Sequence, residues 1–222
     1  MNARALRLSR VCLLLCGAWI GIASAVSPPA NAQEDALWQQ FAAKVGVVEQ
    51  ATDGVLGVAV VDLTTGRRWS LRGDERFPQA STIKIAVLAE LLRQDEAGDG
   101  AHLLDRYVVN SADLVSGSDI LLGLTPGVTT LTNQDLATCM VAVSDNSATN
   151  VLIDRVGMHR VNALLDRLGL PQTRLKRKML DLEAAKSGRE NVSTPAEMAS
   201  LLAALWRADG TVLQREATAR YF

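Results

Sequence analysis

Ser81-Thr82-Ile83-Lys84-Ile85-Ala86-Val87-Leu88-Ala89-Glu90-Leu91-Leu92 carries the first structural signal in this chain. Ile83, Ile85, Ala86, Val87, Leu88, Ala89, Leu91 and Leu92 leave almost no polar side. A helix this apolar belongs in the middle of a domain rather than on its surface. Pro78 precedes it, and Ser81 stands near its start. Lys84 therefore puts an ammonium group into the most apolar helix that follows the N-terminal leader, and a charge there calls for a partner or a purpose. Positions i and i+3 of a helix share a face, so the Ser81 hydroxyl is expected beside the Lys84 amine. A serine hydroxyl is a weak nucleophile and needs a base. Desolvation disfavours the charged amine, so a partly neutral Lys84 can accept the serine proton. The helix start adds the positive end of the dipole and N–H groups for a developing oxyanion. The S-x-x-K pattern alone is weak, because chance supplies it about once in a chain of this length. Its apolar setting gives it weight.

Ahead of this helix, Val55 to Leu63 predicts a strand, Thr64-Thr65-Gly66-Arg67 a turn, and Arg68 to Leu71 a return strand. Gln33 to Gln50 spaces Leu37, Phe41, Val45 and Val48 at roughly helical intervals. Before that, Arg4, Arg7 and Arg10, the apolar run Val11 to Val26, and Ala30-Asn31-Ala32 form the three parts of a secretory signal cleaved before Gln33. Ala23-Ser24-Ala25 is an earlier cleavage candidate. A membrane anchor is the competing reading, and the run is short for one. Leu15-Cys16 is a poor match to a lipoprotein cleavage site. Cleavage removes Cys12 and Cys16, which leaves Cys139 without a disulfide partner and best read as a core residue.

Composition narrows the function classes. Of 222 residues, 48% are hydrophobic and 21% charged, enough apolar material for a core. Lys and Arg number 23 against 24 Asp and Glu, which gives a nucleic-acid binder no basic surplus. The cluster Arg174, Lys176, Arg177 and Lys178 is read as a solvated or ion-paired loop. Three Cys and two His are too few and too scattered for a zinc site, and no metal or organic cofactor is expected. His102 and His159 stand in no Ser-His-Asp context, and no G-x-S-x-G elbow occurs.

Beyond the central helix, Gly98 to Gly123 reads as loops and short helices. Thr132-Asn133-Gln134-Asp135 resembles a capping box before a helix running to Val143. Helices follow near Asn146–Val156 and His159–Leu168, stopped by Gly157 and Gly169. Thr173 to Glu190 is polar and irregular. Thr194-Pro195-Ala196-Glu197 offers a capping box with Pro at the first position, opening a helix to about Arg207. The sum is two strands and many helices. Two strands do not make an independently stable sheet, so either the helices shield the hairpin alone or the rest of the sheet is missing, and a truncated chain is the expectation.

Ser144-Asp145-Asn146 lies between two of these helices, a place that presents polar side chains to a cleft. An ordinary helix cap is the plain alternative. Ser81-Thr82-Ile83-Lys84 followed by Ser144-Asp145-Asn146 matches two of three motifs of class A β-lactamases and penicillin-binding proteins. The sequence resembles the class A β-lactamase-like serine hydrolases from about Leu37 to Phe222. Phe77 to Lys84 is similar to that family's nucleophile segment, Ser144 to Asn150 to its second motif, and Asn191-Val192-Ser193-Thr194-Pro195 to the segment that closes its Ω-loop.

The resemblance implies an α+β, or α/β, fold with an all-helical subdomain carrying Ser81 and Ser144 and an α/β subdomain whose C-terminal strands are missing. Residues 1–32 are then the signal peptide, 33–75 the α/β part, 76–215 the mainly helical part, and 216–222 the start of a truncated helix. It implies that Ser81 is acylated, Lys84 is its proton partner, Ser144 relays a proton to the leaving nitrogen, and Asn146 hydrogen-bonds a substrate amide. The implied function is a serine hydrolase acting on a β-lactam or related amide or ester. A penicillin-binding protein with little turnover, acting on peptidoglycan-like stems, and a non-catalytic fragment are the alternatives. A small-molecule substrate, no nucleic acid, no membrane after signal cleavage, a monomer, and a periplasmic or secreted location go with it.

Two departures stand out. The family's Lys-Thr/Ser-Gly strand has no match in place, since Lys186-Ser187-Gly188 precedes the Asn191–Pro195 segment and reads as a loop coincidence. The Ω-loop position that holds a Glu in class A enzymes falls on or near Met179, with Asp181 and Glu183 the nearest carboxylates. Without a base there, slow hydrolysis of the acyl-enzyme is expected.

Overall fold

The computed structural model describes residues 30–207. The expected signal, apart from Ala30–Ala32, and the helix expected at 216–222 lie outside those residues. The chain divides into two compact units, one up to Thr52 and one from Asp53 onward. In the first, α1 spans Ala30–Ala51, as the spacing of its apolar residues predicts. Trp38 and Phe41 meet edge to face within it, with ring centroids 6.1 Å apart.

The second unit is built around the helix that the sequence singles out. A one-turn 3-10 helix, Ala80–Ile83, runs straight into α2, Lys84–Ala97. Gly98, with φ 64°, ends α2 in the left-handed conformation that glycine adopts without a Cβ penalty. Ile83, Val87, Leu88, Leu91 and Leu92 are all buried. Three helices pack on α2: α3 (Asn133–Ala142), α4 (Asn146–Val156) and α5 (Met158–Arg167). Their buried residues, among them Leu136, Met140, Leu152, Leu164 and Leu165, complete one continuous core. Two polar residues inside α2 are satisfied locally. The Glu90 carboxylate accepts from Arg93 and Gln94, while Gln94 also donates to the Val156 carbonyl and accepts from Ala101 N–H.

The expected hairpin is β1 (Val58–Val61) paired antiparallel with β2 (Arg68–Leu71). Asp62 holds its turn by accepting from Thr64 N–H, Thr65 N–H and the Thr65 hydroxyl, and these bonds keep its pKa below the usual carboxylate value. The last helix among the described residues, α7 (Pro195–Arg207), packs on β1. The count of two strands needs correction, because two further antiparallel pairs occur. Phe77–Pro78 (β3) pairs with Val192–Ser193 (β6), and Arg106–Val108 (β4) pairs with Thr130–Thr132 (β5). Strands of two or three residues are too short to show the alternation by which a strand is recognised in sequence.

The Thr132 capping box forms as expected, with Thr132 and Asp135 bonding reciprocally. The one expected at Thr194 forms only by half. Thr194 Oγ1 accepts from Glu197 N–H at 3.2 Å, but the Glu197 carboxylate turns outward to Gln172 N–H, Thr173 N–H and the Thr173 hydroxyl. Glu197 thus ties the start of α7 to the loop before the irregular stretch. That stretch contains one short helix, α6 (Leu182–Lys186). Lys186-Ser187-Gly188 lies at its C-terminal end, where the Ser187 hydroxyl donates to the Ala184 carbonyl. No helix among the described residues is long and apolar enough to cross a membrane.

Glu197→Ala removes the acceptor of three donors at once. A loss of about 1–3 kcal/mol in urea denaturation is expected, with Glu197→Gln retaining part of it.

Candidate active site

Three segments meet at the site: the turn before α2, the corner between α3 and α4, and the loop at 115–118. The first is pinned by Gln79. Thr82 N–H and the Thr82 hydroxyl both donate to the Gln79 carbonyl, at 3.0 and 2.6 Å, and the hydroxyl also reaches Gln79 Oε1 at 2.9 Å. Gln79 N–H donates to the Asn191 carbonyl at 2.8 Å. Ala80 has φ 44°, a left-handed conformation costly for a residue with a Cβ, immediately before Ser81. Ser81 is exposed, whereas Lys84, one turn on, is buried.

Lys84 Nζ donates to the Ser144 carbonyl at 2.6 Å, to Ser144 Oγ at 2.8 Å and to Asn146 Oδ1 at 3.0 Å. Ser144 Oγ in turn donates to Ser81 Oγ at 2.9 Å. Ser81, Lys84, Ser144 and Asn146 are therefore brought together. The expected direct pairing of Ser81 with Lys84 is replaced by a relay through the Ser144 hydroxyl. The reason is local: Ser144 has φ 58°, and it turns both its carbonyl and its hydroxyl to the amine. An ammonium has three hydrogens, and this corner accepts all of them. Burial pushes the Lys84 amine down to about 8, against the opposing pull of the Asp145 carboxylate.

Asp145 explains the corner itself. It is fully buried, with one carboxylate oxygen accepting from Ile120 N–H and Leu121 N–H at 3.2 and 3.0 Å and the other from Ala148 N–H at 2.9 Å. The helix-cap reading and the cleft reading of Ser144-Asp145-Asn146 thus hold together. The middle residue caps α4, and its neighbours face the site.

Sequence reasoning missed two groups. The loop at 115–118 is fastened to α4 by Ser147, whose N–H and hydroxyl donate to Ser118 Oγ at 2.7 and 2.8 Å and whose Oγ accepts from Val115 N–H at 2.8 Å. Asn150 clamps Met179, accepting from its N–H at 2.7 Å and donating to its carbonyl at 3.1 Å. The spacing of Asn150, one helical turn beyond Asn146, was the available signal. Met179 is buried. Neither nearby carboxylate is available at its place: Asp181 caps α6 through Ala184 N–H, and Glu183 pairs with Lys186 at 2.9 Å with its side chain 84% exposed.

The remaining candidates lie apart from this chemistry. Arg174, Arg177 and Lys178 pair with Asp166, Glu190 and Asp154. Burial, and then the Asp145 charge, push the Cys139 thiol up, away from a nucleophilic thiolate.

Residues 37–222 match a family described as the beta-lactamase enzyme family. The chain belongs to that family. It is 32% identical over 167 residues to the beta-lactamase PSE-4 of Pseudomonas aeruginosa, a match covering 74% of this chain and 57% of the relative. With the beta-lactamase Toho-2 of Escherichia coli it is 34% identical over 181 residues, covering 81% of this chain and 60% of the relative. It also superimposes on the crystal structure of a beta-lactamase from Sphaerobacter thermophilus with a TM-score of 0.72 and 37% identity, over 82% of this chain and 67% of that one. An ancestral class A beta-lactamase gives a TM-score of 0.72 at 33% identity. The chain thus has the α+β fold of class A beta-lactamases, and it spans less than two thirds of the length of the first two relatives.

The Lys84 amine is expected to titrate near pH 8 by NMR. Asp145→Asn should move that titration lower, because removing the carboxylate charge leaves the effect of burial unopposed.

Proposed function

We propose that this site belongs to a serine hydrolase of β-lactamase type, in which Ser81 is acylated by a β-lactam or related amide or ester and the acyl-enzyme is then hydrolysed. One observation carries the reading: the unbroken line from Lys84 Nζ through Ser144 Oγ to Ser81 Oγ, with steps of 2.8 and 2.9 Å. An amine titrating near 8 is neutral in about one molecule in ten at pH 7. When neutral, it draws the Ser81 proton along this line, and Ser81 Oγ attacks the substrate carbonyl. Ser144, within reach of both groups, returns a proton to the leaving nitrogen. Asn146 Oδ1 is held by Lys84 and one Nδ2 hydrogen points to the Ser116 carbonyl. The second Nδ2 hydrogen is left for a substrate amide carbonyl. The pattern of residues 1–32 supports export, which would place the protein in the periplasm or outside the cell, acting as a monomer on a small molecule.

Met179 favours a second reading at the hydrolytic step. By the resemblance, the position at which class A enzymes carry the Glu that activates the deacylating water falls on or near Met179, a buried thioether, and Asp181 and Glu183 are held elsewhere. Acylation without efficient turnover, as in a penicillin-binding protein, follows if no other base reaches the acyl group.

A fluorescent penicillin should label the chain, and Ser81→Ala should abolish the label; labelling that survives this change would falsify the assignment. The acylation rate should rise with pH through about 8 and then level off, since the neutral amine is the active form. Met179→Glu should accelerate loss of the label by about 10²-fold or more, the usual contribution of a general base.

A further inference from the structure

We propose that Gly117 is a positioning residue for this site, because the absence of a side chain there lets the loop at 115–118 hold the Asn146 carboxamide in its working orientation. The inference rests on the reading of the site given above. Gly117 has φ +65°, and a Cβ built on it would lie 2.7 Å from Asn146 Nδ2. The backbone on either side of this point grips Asn146: its N–H donates to the Gly117 carbonyl at 3.3 Å, and its Nδ2 donates to the Ser116 carbonyl at 3.3 Å.

Neither side of the contact is free to yield without consequence. The loop cannot back away, because Ser118 Oγ, fully buried, accepts two bonds from Ser147, and Val115 N–H donates to Ser147 Oγ. The carboxamide is the end of a side chain and can rotate. Rotation, however, breaks its bond to the Ser116 carbonyl and moves Oδ1 off Lys84 Nζ, now 3.0 Å away. A methyl group at 117 therefore displaces the amide that faces substrate and disturbs the Lys84 corner, while the core helices stay intact.

Gly127 supplies a matched control. Its φ is +75°, so a side chain there meets the same left-handed strain, but nothing lies within 4 Å of its Cβ position. The test compares Gly117→Ala with Gly127→Ala in the full chain, using fluorescent-penicillin acylation kinetics and the side-chain amide cross-peak of Asn146 in 1H–15N spectra. Both variants should lose a similar amount of thermal stability. Gly117→Ala should lower the second-order acylation rate at least ten-fold, mainly through weaker binding, and shift the Asn146 cross-peak. Gly127→Ala should acylate within two-fold of the parent with that cross-peak unmoved. Gly117→Asn, whose side chain tolerates the left-handed region, should repeat the cross-peak shift if the alanine variant folds poorly. Equal losses of acylation rate in the two alanine variants, or an unmoved cross-peak in both Gly117 variants, would overturn the proposal. If the parent chain takes no label, the proposed reaction fails, and the cross-peak alone decides the role of Gly117.

Discussion

Lys84 sits in α2 with 3% of its surface exposed, and its ammonium hydrogens all go to one corner of the molecule. An amine so placed must either be paired or lose its charge. Here both happen in part: three acceptors receive it, and burial still brings its pKa to about 8. The apolar helix lowers the pKa of the amine, and the Ser144–Asn146 corner supplies its acceptors.

The corner holds its shape because a buried carboxylate stands behind it. Asp145 binds three backbone N–H groups, two from the 120–121 segment and one from α4. That anchor allows Ser144 to keep its left-handed backbone, which turns its carbonyl and hydroxyl together toward Lys84. The strain is carried by hydrogen bonds made elsewhere, a pattern expected where a backbone conformation serves a site. The Asp145 charge also limits how far burial lowers the Lys84 pKa, so structural support and electrostatic tuning come from one side chain.

The Ω-loop segment follows a similar plan with a different outcome. Asn150 grips the backbone of Met179, and Asn191 accepts from Lys176 N–H and Arg177 N–H while donating to the Arg177 carbonyl. The scaffold that would present a side chain at 179 is therefore in place. The side chain it presents is a thioether, which cannot take a proton from water. Ser81, Lys84, Ser144 and Asn146 are held together, and the residue fixed by Asn150 is a methionine.

Much of this was legible along the chain. The helices found at 84–97, 133–142, 146–156, 158–167 and 195–207 were expected from apolar spacing, from the stops Gly157 and Gly169, and from the capping residues Thr132 and Thr194, all local signals, although the spacing carried the first only to Leu92. Ser81, Lys84, Ser144 and Asn146 were legible as residue types at fixed offsets. Chain folding decided the rest, because it depends on partners distant in sequence. The pairs β3–β6 and β4–β5 join segments too short to signal themselves. Glu197 leaves its expected cap for Gln172 and Thr173 across 25 and 24 residues. The amine of Lys84 finds its acceptors 60 to 62 residues away, so its route to Ser81 through Ser144 exists only once α2 and α4 have packed.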